Sequence, residues 1–265
     1  KKMLKKNKSA IILCGGKGSR LGNLGKKIPK ALAKVQKKEI LWYIISILIK
    51  NNFNHLILPV GYKGSLIKKY IKKNNFKVKI DCIDTGIHSN IGYRLAKIVN
   101  KINTDNVLLL NGDAIFDLNI NSIYNNHSKK KIGITFLSSE ITYPYGTVGV
   151  ADNKIKDFRR NLVYDGLSTR NFKRYKAFNY CGMSIIKTEI LLKFKNLYKK
   201  SENFEQIFFP KVIKKYLSKL VKINGFWHSI DNIKDLDIVD KKSIDKKNFF
   251  LTRKLQKKLK KTEKK

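Results

Sequence analysis

A chain of 265 residues with 42% hydrophobic side chains can bury one sizeable core or two small ones, as a globular protein does. Its net charge is +39, but seven of the 58 cations are arginine and 51 are lysine, which argues against nucleic-acid recognition built on arginine's bidentate contacts. Three cysteines, Cys14, Cys82 and Cys181, sit far apart without C-x-x-C spacing, which excludes a zinc ribbon or disulfide framework and predicts buried free thiols in a reducing cytoplasm.

Lysine, isoleucine and asparagine are abundant together, so the basicity reads as the composition of an A/T-rich coding sequence, with no specific nucleic-acid partner. A basic surface still attracts nucleotides and phosphorylated substrates. Residues 1–8 form a basic extension, and the apolar run after them is too short for a secretory h-region.

Ala10 to Cys14 is a buried strand that empties into Gly15-Gly16-Lys17-Gly18-Ser19-Arg20 and then a basic segment ending in Pro29-Lys30. Glycines let the backbone approach an anion closely, and peptide N–H groups at such a turn favour negative charge. Two familiar phosphate loops fail here. The dinucleotide fingerprint needs glycine at 21, which is Leu21; the P-loop needs Ser or Thr after Gly25-Lys26, where Lys27 stands, and glycine where Arg20 stands. Ala31 to Val35 reads as extended. Ile40 to about Asn51 is the most apolar stretch, half a membrane span long, and is predicted as a buried helix, leaving no transmembrane segment.

Leu56 to Val60 is a second strand, followed by a helix near Ser65 to Lys73 with Ser65 as its cap. Val78 to Ile83 is a third strand ending in Asp84-Thr85-Gly86, and a helix follows from about Gly92 to Asn100. Val107 to Leu110, continuous and apolar, is a fourth strand that stops at Asn111-Gly112-Asp113. This alternation indicates a doubly wound α/β sheet, whose ligands bind at the carboxyl ends of the strands. The loops Gly15–Arg20, Asp84–Gly92 and Asn111–Asp113 are predicted to converge there.

The second half is richer in strands: Ile132–Leu137, Gly146–Val150, Met183–Ile186 and Val221–Trp227, with helices at Phe204–Tyr216 and Ile233–Asp240. One domain is therefore placed at 9–240. Residues 241–265 form a basic tail with some helical character, read as loosely docked, with a membrane-surface helix as the alternative.

Asp113, just past a buried strand and beside a glycine, is placed to hold Mg2+ against a triphosphate, and equally to make an Asx turn or helix cap. Asp231, in Trp227-His228-Ser229-Ile230-Asp231, taken alone reads as a cap for the helix after it. Lys30 taken alone is one lysine among many, set apart by the proline before it.

Together these residues resemble the sugar-phosphate nucleotidyltransferases. Gly15-Gly16-x-Gly18-x-Arg20-Leu21 with Pro29-Lys30 is similar to their signature, and the resemblance extends over most of 9–240. Leu41-Trp42-Tyr43-Ile44, Gly61-Tyr62-Lys63-Gly64, Asp84-Thr85-Gly86, Gly92-Tyr93-Arg94-Leu95 and Gly225-Phe226-Trp227 with Ile230-Asp231 look most like the glucose-1-phosphate cytidylyltransferase branch. Tyr145-Gly146-Thr147-Val148 looks like the mannose- and heptose-1-phosphate guanylyltransferases.

The resemblance implies a Rossmann-like three-layer α/β sandwich with a mixed, mainly parallel sheet, in a cytoplasmic enzyme. It implies transfer from an NTP, CTP or GTP favoured, to a sugar 1-phosphate, giving NDP-sugar and pyrophosphate for surface polysaccharide. Gly15, Gly16, Gly18, Ser19 and Gly112 would surround the triphosphate, and Thr85, Gly86 and Gly92 the base and ribose. Arg20 and Lys30 would hold phosphate oxygens as the catalytic cations, and Asp113 and Asp231 would hold Mg2+. Gly146, Arg160 and Asn179 would meet the sugar phosphate. Where relatives read Phe-x-Glu-Lys, this chain has Phe158-Arg159-Arg160-Asn161, so Asn161 stands at the lysine position and Arg160 is the substitute. Where they read Asn-x-Gly, Asn179-Tyr180-Cys181-Gly182 carries an extra residue. The rival readings are the same chemistry on another phosphorylated acceptor such as phosphocholine, or a nucleotide-sensing subunit without turnover. The family also leaves room for a homo-oligomer.

Overall fold

A computed structural model describes residues 7–129, 131–143, 147–160, 162–164, 166–168, 174–200 and 202–244. Gly146, Asn161 and the tail from 245 onward lie outside these residues.

Seven strands make the central sheet: β1 (Ser9–Leu13), β2 (His55–Val60), β3 (Lys79–Asp84), β4 (Asn106–Asn111), β5 (Ile134–Ser139), β6 (Asn179–Lys187) and β7 (Ser218–Lys222). Their spatial order is β7-β5-β6-β4-β1-β2-β3. All pairs are parallel except those that β6 makes with β4 and β5, so β6 alone runs against the rest. The mixed, mainly parallel sheet implied by the sequence is what forms.

The central strands are buried on both faces, and their side chains alternate between two cores. Ala10 and Ile12, Leu56 and Leu58, and Leu108 and Leu110 point into one core; Ile11, Ile57, Val107 and Leu109 point into the other. The first core is closed by α2 (Ile40–Lys50), α3 (Gly64–Asn74) and α5 (Ile120–Ser128). The second is closed by α4 (Ile91–Ile98), α6 (Thr188–Lys193), α7 (Lys195–Lys199) and α8 (Phe204–Lys215). In α2 every side chain from Ile40 to Ile45 is buried, as its uniform apolarity predicts. No helix among the described residues is long and apolar enough to cross a membrane.

Three local readings change. Ser65 does not cap α3: the helix begins one residue earlier, after Lys63 in a left-handed conformation (φ 49°), with no side-chain cap. Residues 31–35 are not one extended piece but a 3-10 turn at Lys30–Leu32 followed by a two-residue strand at Lys34–Val35. The strand expected over Val221–Trp227 is two strands. β7 ends at Lys222, and Phe226–Ser229 leaves the sheet to pair antiparallel with Ala114–Asp117. Gly225 makes the break, with φ 143° and its Cα so close to Asp117 that a Cβ would sit 2.6 Å from that carbonyl oxygen.

His127, near the end of α5, is buried against β4 and β5, with Nδ1 2.9 Å from the Thr135 hydroxyl and Nε2 3.1 Å from Asn106 Oδ1. Burial, with the nearby Lys187 charge adding to it, lowers its pKa from 6.5 to about 4. The folded protein therefore keeps this ring neutral while the unfolded chain protonates it near pH 6.5. The stability it contributes is full above that pH and is lost as pH falls towards 4. Urea denaturation across this range should show the stability difference between the native chain and H127Q shrinking by on the order of 3 kcal/mol between pH 7 and pH 4.

Candidate functional site

The carboxyl ends of β1, β2, β3 and β4 lie along one edge of the sheet, and the three loops expected to converge do so. The Gly112 N–H donates to the Leu13 carbonyl at 3.1 Å, the Thr85 N–H to Val60 at 2.9 Å and the Tyr62 N–H to Gly15 at 3.2 Å. The β1 and β4 ends approach so closely that a Cβ on Gly112 would lie 2.7 Å from the Leu13 oxygen and 2.9 Å from Cys14 Sγ. Burial, with Cys82 and Asp113 adding to it, pushes the Cys14 thiol well above the usual thiol range.

The glycine loop turns through Gly18, in the left-handed region at φ 62°, into a 3-10 turn at Ser19–Leu21 and then α1 (Gly22–Lys27). It folds back on itself: a Cβ on Gly25 would lie 2.4 Å from the Gly18 oxygen, and one on Gly18 3.0 Å from Lys30 Cβ. Pro29 is extended, and Lys30 opens the next turn, secured by the Leu32 N–H on the Pro29 carbonyl at 2.8 Å. Between loop and turn lies a cleft of about 80 Å³ lined by Gly16, Gly18, Lys30, Gly112 and Asp113.

Asp231 reaches this cleft through the pairing of Phe226–Ser229 with Ala114–Asp117, which sets Ser229 opposite Ala114. The Ile230 N–H then donates to the Asp113 carbonyl at 2.8 Å. Lys30 Nζ donates to Asp113 Oδ2 at 2.8 Å and to Asp231 Oδ1 at 3.1 Å. Arg20 Nη1 is 3.4 Å from Asp231 Oδ1, with its side chain 74% exposed against 15% for Lys30. The cap reading of Asp231 is not what forms: Asn232 accepts from the Asp235 N–H at 3.2 Å ahead of α9 (Ile233–Ile244), and the Asp231 carboxylate faces the two cations.

Beside the cleft lies a second cavity, about 530 Å³, lined by Thr85, Gly86, Ile87, Asn90 and Tyr93 among others. Gly86 takes φ 94° there, its N–H on Asp84 Oδ1 at 2.9 Å. The Thr85 hydroxyl is turned inward, donating to the Val60 carbonyl at 2.8 Å, and receives Arg94 Nη1 at 2.6 Å. Gly92 is buried in the first turn of α4, whose N-cap Asn90 accepts from the Tyr93 N–H at 2.8 Å. A larger cavity of about 640 Å³ lies at the other end of β4, against Asn103, Asp105, Asn106 and Lys187. It holds none of the glycine-loop or cleft residues.

Arg94 is the residue whose part at the site the sequence did not reveal. It is 4% exposed, and it donates to the Gly15 carbonyl at 3.0 Å, to the Val60 carbonyl at 3.2 Å and to Thr85. One guanidinium thus clamps the glycine loop, the end of β2 and the Thr85 loop together. The available signal was an arginine inside Gly92-Tyr93-Arg94-Leu95 in a chain that otherwise uses lysine. Burial lowers its pKa, opposed by Asp84.

On the remaining side, Asn179 is exposed at the start of β6, at the same end of the sheet as Asp113. The extra residue after it is absorbed by a bulge: Tyr180 pairs with Ser138 and Met183 with Leu137, and Gly182 takes φ 66° against Asn111. Arg160 is exposed on the bend after the strand Lys154–Arg159, and no described contact brings it to the cleft.

A family described as "Nucleotidyl transferase" has a model that matches residues 9–159. A protein of Bacillus subtilis named "Probable glucose-1-phosphate cytidylyltransferase" is 30% identical over 258 residues, covering 88% of this chain and 94% of that protein. The D-glycero-alpha-D-manno-heptose 1-phosphate guanylyltransferase of Aneurinibacillus thermoaerophilus is 29% identical over 152 residues, 57% of this chain and 66% of that protein. Among solved structures, HddC from Yersinia pseudotuberculosis superposes with a TM-score of 0.64 at 18% identity, over 89% of this chain and 99% of that one.

The loop glycines separate by the space around them. A Cβ on Gly15 would lie 2.2 Å from Arg94 Nη1, inside a network that holds the guanidinium, whereas nothing lies within 4 Å of one on Gly16. Urea denaturation should show G15A losing about 2 kcal/mol or more, through disruption of the buried network, and G16A staying within about 0.5 kcal/mol of the native chain.

Proposed function

The chain belongs to the nucleotidyl transferase family, and from that premise we propose that it joins an NTP to a sugar 1-phosphate in the crevice between the glycine loop and Asp113. A phosphate oxygen of the sugar attacks the α-phosphorus in line, the bond to the bridging oxygen of the β-phosphate breaks, and pyrophosphate leaves. The named relatives divide between cytidylyl and guanylyl transfer, so CTP and GTP are the favoured donors. We also place the product in the supply of surface polysaccharide, in the cytoplasm.

The observation that carries this reading is the meeting of Asp113 and Asp231, far apart in sequence, around one shared cation, the Lys30 ammonium. Two carboxylates set to share a positive charge suit Mg2+, which takes one or two carboxylates and completes its shell with water and substrate phosphates. Among the described residues no group of three or more His, Cys, Asp or Glu side chains forms a protein-only metal cage. Bound between the carboxylates, Mg2+ would neutralise charge on the phosphates of both substrates.

The remaining roles fall to the chain's own groups. Gly15, Gly16, Gly18 and Ser19 offer backbone N–H groups to the triphosphate where no side chain intervenes, with Gly112 closing the floor. Lys30, released from the carboxylates, turns to the phosphate oxygens. Arg20, mostly exposed, closes from the solvent side. The cavity along Thr85, Gly86 and Asn90 takes the base and ribose, with Gly92 behind it. Because the Thr85 hydroxyl is committed to Val60, residue 85 offers the base its backbone groups rather than its side chain. Asn179 faces the sugar side, and Arg160 and Gly146 complete our assignment there.

Pyrophosphate release assayed over a matrix of NTPs and phosphorylated acceptors, phosphocholine included, tests the proposal. One NTP and sugar 1-phosphate pair should turn over with Mg2+, and K30M and D113N should each lower kcat/KM about 10²–10³-fold. Turnover with phosphocholine alone would reassign the acceptor. Bound nucleotide without turnover of any pair would leave a sensing subunit in place of an enzyme.

A further inference from the structure

Asp235 takes no part in the chemistry above, yet the backbone carrying Asp231 is wrapped around it. It stands in the first turn of α9 with its side chain 18% exposed. Its Oδ2 accepts two backbone N–H groups, from Asp231 at 2.7 Å and from Asn232 at 2.9 Å. Its Oδ1 lies 3.8 Å from His228 Nε2, on the strand that enters the turn. Its own N–H donates to Asn232 Oδ1 at 3.2 Å, so Asn232 and Asp235 form a reciprocal cap for the helix.

We propose that Asp235 is a positioning residue for the cation site, fixing the backbone of Asp231 so that its carboxylate meets that of Asp113 at a set spacing. This rests on the Mg2+ reading of Asp113 and Asp231. Residue 231 is held from two sides: the Ile230 N–H on the Asp113 carbonyl at 2.8 Å, and the Asp231 N–H on Asp235. The first ties the two loops; the second sets the direction in which the Asp231 side chain leaves the chain. A bond from an N–H to a carboxylate is stronger than one to a neutral acceptor, and here one carboxylate oxygen takes two. Without it, the backbone at 231 is tied only through the preceding residue, Ile230, and by the side-chain contacts to Lys30 and Arg20, and a cation shared between two carboxylates loses affinity when one is displaced by a fraction of an ångström. A plain helix cap would not require this: Asn232 supplies the other half of the cap without touching the Asp231 N–H. That difference separates positioning from capping.

The test compares D235A, D235N, N232A and D231N in the full chain. Mn2+ binding is titrated by electron paramagnetic resonance in the presence of a non-hydrolysable NTP analogue, alongside thermal unfolding and the Mg2+ dependence of turnover. D235A should weaken Mn2+ binding about tenfold or more, with kcat recovering to within about threefold of native at saturating Mg2+. D235N keeps an oxygen that can accept both N–H groups but loses the charge that strengthens them, so it should weaken Mn2+ binding about threefold, a result that separates positioning from capping even where D235A fails to fold. N232A should lower the unfolding temperature about as much as D235A while changing Mn2+ affinity less than about twofold. Equal affinity losses in D235A and N232A, or unchanged affinity in D235A and D235N where D231N loses it, would reduce Asp235 to a helix cap. Unchanged Mn2+ binding in D231N would instead remove Asp231 from the cation site, and this role with it.

Discussion

The Lys30 ammonium between the Asp113 and Asp231 carboxylates is the interaction on which the rest of this site depends. Two ionised carboxylates side by side repel each other, and a positive charge between them offsets that repulsion. Each of the three side chains arrives by a separate device. Lys30 comes from the turn after Pro29, Asp113 from the end of a doubly buried strand, and Asp231 from a strand that leaves the main sheet and pairs beside Asp113. The sheet supplies the common frame, since β1 and β4 are neighbours in parallel and their carboxyl ends open on the same side.

What could be read from the amino acids follows from how the backbone bonds are satisfied. Strands such as Val107–Leu110 are apolar without interruption because both faces are covered, and they end where glycine and aspartate take over; that signal is local and strong. The glycine loop was legible for a related reason, since glycine takes φ 62° at Gly18 without strain and only glycine leaves room for a carbonyl 2.4 Å from the Cβ position at Gly25. The pairing of Phe226–Ser229 with Ala114–Asp117 was not legible. Both segments are short, and nothing local says that residues more than a hundred apart share a two-stranded ribbon rather than extend the main sheet. α5 escaped as well, because its asparagines and serines carry turn propensity that burial of Ile120, Tyr124 and His127 overrides.

Side-chain roles were less legible than positions. Thr85 lines the cavity at the end of β3, but its hydroxyl faces inward. Asp231, read alone as a cap, leaves that task to Asn232 and Asp235, one and four residues further on. The extra residue near Asn179 looked like a defect in a motif; it falls in a bulge of β6, where Cys181 and Gly182 lack a partner on β5 and Gly182 supplies the turn. In each case the residue type was visible, and the direction in which it points was decided by partners distant in the chain.

Arg94 has a mechanical consequence. Its guanidinium bonds the Gly15 carbonyl and the Thr85 hydroxyl at once, so the loop assigned to the phosphates and the loop assigned to the base are joined as one stiff jaw. Under the function proposed above, a base that sits badly against the Thr85 loop would not be accommodated by letting that loop drift, because the drift would drag the Gly15 carbonyl with it. Choice of nucleotide and alignment of the α-phosphorus would then be a single degree of freedom, and discrimination against a wrong base would register as slowed chemistry as well as weakened binding.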